Sequence, residues 1–60
     1  MKVQVEGVYK SADFWYRLTL PSGSRAYVEG DTWSRVVASR ALDEVTRITG
    51  AKRSAVRFEH

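Results

Sequence analysis

The chain has 60 residues, a length that is enough for one small domain over residues 1–60. It has ten basic and seven acidic side chains and a net charge of +3. It has no cysteine and its only histidine is the last residue, so disulfide bonds and Cys/His zinc sites are excluded. No apolar run approaches the roughly 20 residues that span a bilayer, and no apolar leader follows Met1. We therefore expect a complete small reading frame encoding a soluble cytoplasmic protein, with no cofactor and no membrane partner.

Three segments of alternating polarity predict β-strands in the first half of the chain. Residues 1–8, 14–20 and 25–29 each show the period-two pattern of a half-buried strand. Residues 10–13 are polar and predict a turn. The middle strand places its apolar side chains on an inner face, namely Phe14, Tyr16, Leu18 and Leu20. The opposite, outer face receives Trp15, Arg17 and Thr19.

The second turn is predicted at Ser22–Ser24, after a proline and around a glycine. A three-residue loop there pairs Leu20 with Ala26 on the inner face and Arg17 with Glu29 on the outer face. A loop of two or four residues would set apolar side chains opposite polar ones. The odd loop length is therefore favoured.

An amphipathic helix follows, with Asp31 or Thr32 as its N-cap and Gly50 as its end. Its apolar side chains lie within one half of the helical wheel and are Trp33, Val37, Ala38, Ala41, Leu42, Val45 and Ile48. Trp33 is expected in the first turn and in the core. Val36 lies on the exposed side, which favours a partner contact there. Two pairs have the i, i+4 spacing of ion pairs, Arg40–Glu44 and Asp43–Arg47.

Residues 55–59 alternate again and predict a short last strand, with Val56 and Phe58 facing inward. The order β-β-β-α-β predicts a small two-layer α+β domain in which an antiparallel three-stranded meander packs on one helix. The short fourth strand either returns through a right-handed crossover to lie parallel beside the first strand, or is exchanged with a second chain.

Enzymatic chemistry has little support in the sequence. A nucleophile would have to rely on His60 at the chain end, and the consecutive carboxylates of Asp43 and Glu44 point about 100° apart on a helix. Asp31 is explained by helix capping, and no glycine-rich phosphate loop is present. We expect no catalytic residues and no metal site.

Two groups of residues are candidates for binding. The outer face of the central hairpin combines aromatic and basic side chains, namely Trp15, Arg17, Thr19, Arg25 and Tyr27. Aromatic rings beside arginines suit base stacking and phosphate contact, and also suit a protein interface. The second group is basic and lies between Glu44 and Glu59 without an intervening acid; it comprises Arg47, Lys52, Arg53 and Arg57. These cations either meet phosphate or form a solvated helix end.

Residues 14–25, FWYRLTLPSGSR, followed by Gly30-Asp31-Thr32 at a helix start, resemble the arm-type DNA-binding domains of phage tyrosine recombinases. The resemblance covers about residues 3–49. It implies three strands on one helix, with the open sheet face in the major groove of DNA. It also implies that the hairpin residues face bases and phosphates. Separately, the small size of the reading frame and its richness in arginine, alanine and valine favour a phage or mobile element as its source.

Three functions stay open on the sequence alone. The first is nucleic-acid binding, with DNA favoured, through the outer face of the sheet. The alternative is a small phage-type protein that binds and inhibits or modulates a host protein through the same face or an edge strand. A homodimer that buries the outer face is the third. Binding to phosphate would weaken steeply with salt, whereas an aromatic protein interface would not.

Overall fold

A computed structural model describes all 60 residues and contains one four-stranded sheet and one helix. The elements in chain order are β1 (Lys2–Lys10), β2 (Asp13–Thr19), β3 (Arg25–Glu29), α1 (Arg35–Thr49), a 3₁₀ turn (Arg53–Ala55) and β4 (Arg57–Glu59). The strand order across the sheet is β3-β2-β1-β4. Strands β1, β2 and β3 form an antiparallel meander, and β4 lies parallel to β1. The predicted α+β architecture is confirmed.

Helix α1 and the inner face of the sheet enclose an aliphatic core. Its buried side chains are Val3, Val5, Leu18, Leu20, Ala26, Val28, Val37, Ala41 and Val45, and no polar residue is buried. Full burial of a valine or leucine side chain contributes roughly 1.5–3 kcal/mol. In a chain without disulfide bonds, this contact between two layers is the main source of stability.

Both ends of α1 are capped, but the start differs from the prediction. Ser34, rather than Asp31 or Thr32, is the N-cap, and its hydroxyl accepts a hydrogen bond of 3.2 Å from the Val37 N–H. Gly50 ends the helix as predicted, in the left-handed conformation with φ of 72°. The single helix is shorter and more polar than one that spans a membrane.

Trp33 lies just before the helix and packs onto the sheet. Its ring packs edge-on against Tyr16 and Phe58, with ring centroids 5.2 Å apart in both pairs. Trp33 is half-buried against the core, as predicted, but it precedes the helix rather than lying in the first turn. Gly30 lets the chain pass close to the helix at this point, since a Cβ there would lie 2.8 Å from a methyl group of Val37.

Most of the predicted helix stripe faces the sheet. Val37, Ala41 and Val45 are buried, and Val36 is exposed as expected. Ile48, which the wheel placed on the apolar stripe, is instead 44% exposed, since α1 packs on the sheet through Val37, Ala41 and Val45.

The loop between β2 and β3 has the predicted length but a different position. The Leu20 N–H donates to the Ser24 carbonyl at 2.8 Å, and the Gly23 N–H donates to the Leu20 carbonyl at 2.9 Å. The loop is therefore Pro21–Gly23, because Gly23, with φ of 91°, occupies the last loop position. Leu18 consequently pairs with Ala26, and Arg17 pairs with Tyr27 rather than Glu29. This shift of two residues leaves every side chain on its predicted face.

Strand β4 pairs with β1 of its own chain. Phe58 is the register partner of Val3, the Arg57 N–H donates to the Met1 carbonyl at 2.9 Å, and the Met1 ammonium donates to the Ala55 carbonyl at 2.7 Å. Of the two arrangements left open by the sequence, the structure contains the parallel one within the chain.

The hairpin between β1 and β2 has a two-residue loop of unusual composition. Lys10 pairs with Asp13, which leaves Ser11 and Ala12 in the loop. Both have positive φ, 53° and 60°, as a type I′ turn requires. Asparagine and glycine are the residues that favour this turn, so alanine at its second position is strained.

We predict that Ala12→Gly stabilises the domain by about 0.5–1 kcal/mol, because relief of the strained φ exceeds the added freedom of the unfolded chain. Urea denaturation followed by circular dichroism measures the change. Ala55→Gly is the matched control and should destabilise, since Ala55 has no positive φ. A lower midpoint for Ala12→Gly would contradict the turn geometry.

Candidate nucleic-acid interface

The outer face of the sheet, opposite α1, is not covered by any other element. Strand pairing sets its side chains in rows that cross β3, β2 and β1 in that order: Arg25–Thr19–Gln4, Tyr27–Arg17–Glu6 and Glu29–Trp15–Val8. The hairpin residues predicted for this face all lie on it: Trp15, Arg17, Thr19, Arg25 and Tyr27. Arg57 of β4, paired with Lys2, extends the same face at the opposite edge.

A lysine joins the two aromatic rings at the centre of this face. The Lys10 Nζ lies 3.9 Å from the centroid of the Tyr27 ring and 5.8 Å from that of the Trp15 ring. A cation over an aromatic ring is attracted by the negative charge of its face. Lys10 is absent from the predicted site because residues 10–13 read as a turn in the sequence. The signal was the alternation of β1, which places Lys10 on the same face as Lys2, Gln4 and Glu6.

The indole of Trp15 carries an unsatisfied donor. Its Nε1–H is buried and has no hydrogen-bond acceptor. A buried polar group without a partner costs about 1–3 kcal/mol. Because the nitrogen itself is buried, a ligand could reach this N–H only if the indole ring or its neighbours moved, so the unpaired donor destabilises the free protein.

Arg17 has a structural partner on the neighbouring strand. Its Nε lies 3.1 Å from Oε1 of Glu6. The two groups form an ion pair, but the Nε–H makes no hydrogen bond. Only 25% of the Arg17 side chain is exposed. Its charge is therefore largely neutralised within the sheet, whereas Arg25 is exposed and forms no ion pair.

Two carboxyl groups meet at the end of the face away from the Pro21–Gly23 loop. Hydrogen bonding between the Glu29 and Asp13 carboxyls raises the pKa of Glu29, and the negative charge of Asp13 raises it further. The same hydrogen bond, with one of 2.8 Å from the Phe14 N–H, lowers the pKa of Asp13. Nowhere in the structure do three acidic, histidine or cysteine side chains meet to hold a metal ion.

The second group of predicted cations lies mostly apart from the outer face. Arg47 donates to Glu44 at 2.7 Å, and Arg53 donates to Asp43 at 2.6 Å, so both cations are held against the helix. These ion pairs replace the predicted Arg40–Glu44 and Asp43–Arg47 pairs. Lys52 follows the helix and forms no ion pair. The structure therefore brings only Arg57 of this group onto the outer face.

An aromatic pair on the inner side was also not predicted. Tyr9 and Phe14 lie beyond the reach of α1, with ring centroids 4.9 Å apart and exposed fractions of 65% and 53%. The prediction grouped Phe14 with the apolar inner face. It is on that face, but it is more than half exposed and packs on Tyr9 rather than on the core.

Comparison with known proteins gives no family assignment. No protein-family model, curated protein or solved structure matches the chain. The resemblance of residues 3–49 to arm-type DNA-binding domains therefore stays a prediction. What the chain does is inferred from the chemistry of the outer face.

The carboxyl pair gives a test of the geometry at the acidic end. In Asp13→Asn, we expect the pKa of Glu29 to fall, because the neighbouring negative charge that disfavours its ionisation is gone. A ¹³C-detected NMR titration of the carboxyl groups measures it. Glu44→Gln is the control and should leave the Glu29 titration where it was. An unchanged pKa in Asp13→Asn would mean that the two carboxyls do not meet.

Proposed function

We propose that this protein binds nucleic acid, with duplex DNA as the favoured form, through the outer face of its sheet. It acts in the cytoplasm as a phage or mobile-element protein and catalyses no reaction. The observation that carries the proposal is the uncovered cluster of Trp15, Tyr27 and Lys10, in which the ammonium lies 3.9 Å from the tyrosine ring. Proteins that bind nucleic acid use aromatic rings beside cations for base stacking and phosphate contact.

The residues of the face take different parts in this proposal. Trp15 and Tyr27 contact bases or sugar edges through the exposed parts of their rings. Arg25, which has no ion-pair partner, and Lys10 contact phosphates or base edges. Thr19 lies between Arg25 and Gln4 and adds a short donor. Arg17, held by Glu6, supports the two rings rather than reaching the ligand.

Cations outside the hairpin add contacts to the phosphate backbone of the nucleic acid in this proposal. Arg57 adjoins the outer face, and Lys52 has no ion-pair partner, so both are free to meet phosphate. Arg47 and Arg53 would first have to leave Glu44 and Asp43. Their contribution is therefore expected to be smaller.

A protein partner is the second candidate, and the charge of the face favours it. The outer face carries nearly as many carboxylates as cations, with Glu6, Asp13, Glu29 and Glu59 set against Lys2, Lys10, Arg17, Arg25 and Arg57. Tryptophan, tyrosine and arginine are also the residues that dominate protein interfaces. A host protein bound here would be inhibited or modulated by this chain.

Salt dependence separates the two candidates. Fluorescence anisotropy would follow labelled duplex DNA, single-stranded DNA and RNA at about 50 and about 200 mM salt. We expect the duplex to bind best, and its affinity to fall steeply between the two salt concentrations. Trp15→Ala should weaken binding about 10-fold, because a base contact of this kind contributes roughly 1–3 kcal/mol. Arg25→Ala should lower the salt slope by about one unit.

The matched control is Arg35→Ala, which removes a cation at the start of the helix, on the other layer. It should change affinity less than Arg25→Ala does. No binding of any nucleic acid at the lower salt would rule out the proposal in favour of a protein partner. Circular dichroism of Trp15→Ala must show a folded domain; an unfolded one would make Trp15 structural.

A further inference from the structure

Strand β3 leaves one edge of the sheet unpaired. It is the first strand in the order β3-β2-β1-β4. The Gly30 N–H donates to the Phe14 carbonyl at 3.0 Å, and the Ser24 carbonyl accepts from the Leu20 N–H at 2.8 Å, so even-numbered residues bond to β2. Since these directions alternate along a strand, the N–H and C=O groups that point away from the sheet belong to Arg25, Tyr27 and Glu29.

The helix does not close this edge. A groove of about 280 Å³ runs between β3 and α1, lined by Tyr27, Val28, Glu29, Arg40, Asp43 and Glu44. An unpaired strand edge with open space beside it is a template for pairing with another strand. The question is which strand fits.

We propose that two copies of this chain pair through β3, antiparallel, about a twofold axis at Tyr27. The strand reads Arg25-Ala26-Tyr27-Val28-Glu29. In this register Arg25 lies opposite Glu29 of the partner subunit, and the reverse pair forms on the other side of the axis. Opposite charges directly across two strands stabilise the pairing. The apolar Ala26 and Val28 also face each other and continue the inner face.

The backbone accepts this register. Arg25, Tyr27 and Glu29 all present their N–H and C=O groups to the free edge, so each residue exchanges both bonds with its opposite number. A slip of four residues sets Arg25 against Arg25 or Glu29 against Glu29, which places like charges in contact. A slip of two residues breaks both ion pairs. The charge pattern of β3 therefore selects one register.

Pairing also supplies Glu29 with an ion-pair partner that the single chain lacks, since the charge of Arg40 in the same groove offsets only part of the rise in the pKa of Glu29. The Glu29 carboxyl lies against that of Asp13 on the outer face, and no cation forms an ion pair with either group. In the pair, the guanidinium of Arg25 of the partner subunit lies beside Glu29. The twofold axis is perpendicular to the sheet, so the two outer faces form one continuous surface. The pairing does not rest on nucleic-acid binding, but in the pair Arg25 would have to leave Glu29 of the partner subunit before it could meet phosphate.

Charge reversal tests the proposal. Sedimentation equilibrium between about 5 and about 500 µM should show a monomer–dimer equilibrium, since association depends on concentration. Arg25→Glu or Glu29→Arg alone should weaken the dimer at least 10-fold, because each places like charges across the axis. The double variant R25E/E29R restores opposite charges and should return the dissociation constant to within about threefold of the original.

Arg57→Glu makes the same charge change on β4, at the opposite edge of the sheet, and should leave the dimer intact. Hydrogen exchange gives a second readout. The amides of Arg25, Tyr27 and Glu29 should exchange more slowly at high concentration, whereas those of Ala26 and Val28 are protected at every concentration.

Several outcomes would overturn the proposal. A monomer at every concentration would do so, as would a dimer that both single reversals leave unchanged or that the double variant fails to restore. Circular dichroism identifies a variant that does not fold. If Arg25→Glu unfolds, Glu29→Arg and the double variant still decide, because Glu29→Arg removes the carboxyl repulsion with Asp13 and leaves the buried core untouched.

Discussion

The aliphatic contact between α1 and the inner face of the sheet is the interaction on which the rest of the structure depends. Val37, Ala41 and Val45 of the helix close over Val3 and Leu18 of the sheet, and these side chains are almost completely buried. Without disulfide bonds, a chain of this length has little stability to spare. A single helix covers a single face, so the opposite face, with the half-buried rings of Trp15 and Tyr27, has no element packed on it.

Much of the fold could be predicted from the sequence because it follows from the local periodicity of apolar and polar residues. Alternation identifies the strands and assigns each side chain to a face, and the wheel of residues 33–48 identifies the buried side of the helix. Register and boundaries depend on contacts that alternation does not contain. With Gly23 at the last loop position, the β2–β3 pairing lies two residues from the predicted one, and the N-cap of the helix is Ser34, directly after Trp33, which packs against Tyr16 and Phe58.

The candidate site likewise has features that follow from local periodicity and features that depend on long-range contacts. The hairpin residues were predicted on the outer face correctly, because face assignment survives a two-residue shift of register. The identity of each residue's neighbours, in contrast, changes with the register and could not be predicted. The approach of Lys10 to Tyr27, the Glu6–Arg17 ion pair and the attachment of Arg53 to Asp43 all join residues that are distant in sequence. The free edge of β3 likewise requires the strand order, which the sequence left open at β4.

The central claim is that the outer face is the surface that meets the ligand, and the two tryptophans test it directly. In a ¹H–¹⁵N NMR titration with a short DNA duplex at low salt, the indole N–H of Trp15 should shift together with the amides of Thr19, Arg25 and Tyr27. The indole N–H of Trp33, which packs against Tyr16 and Phe58 on the other face, should not move. Shifts confined to Arg47, Lys52 and Arg53, or no shifts at all, would contradict the account.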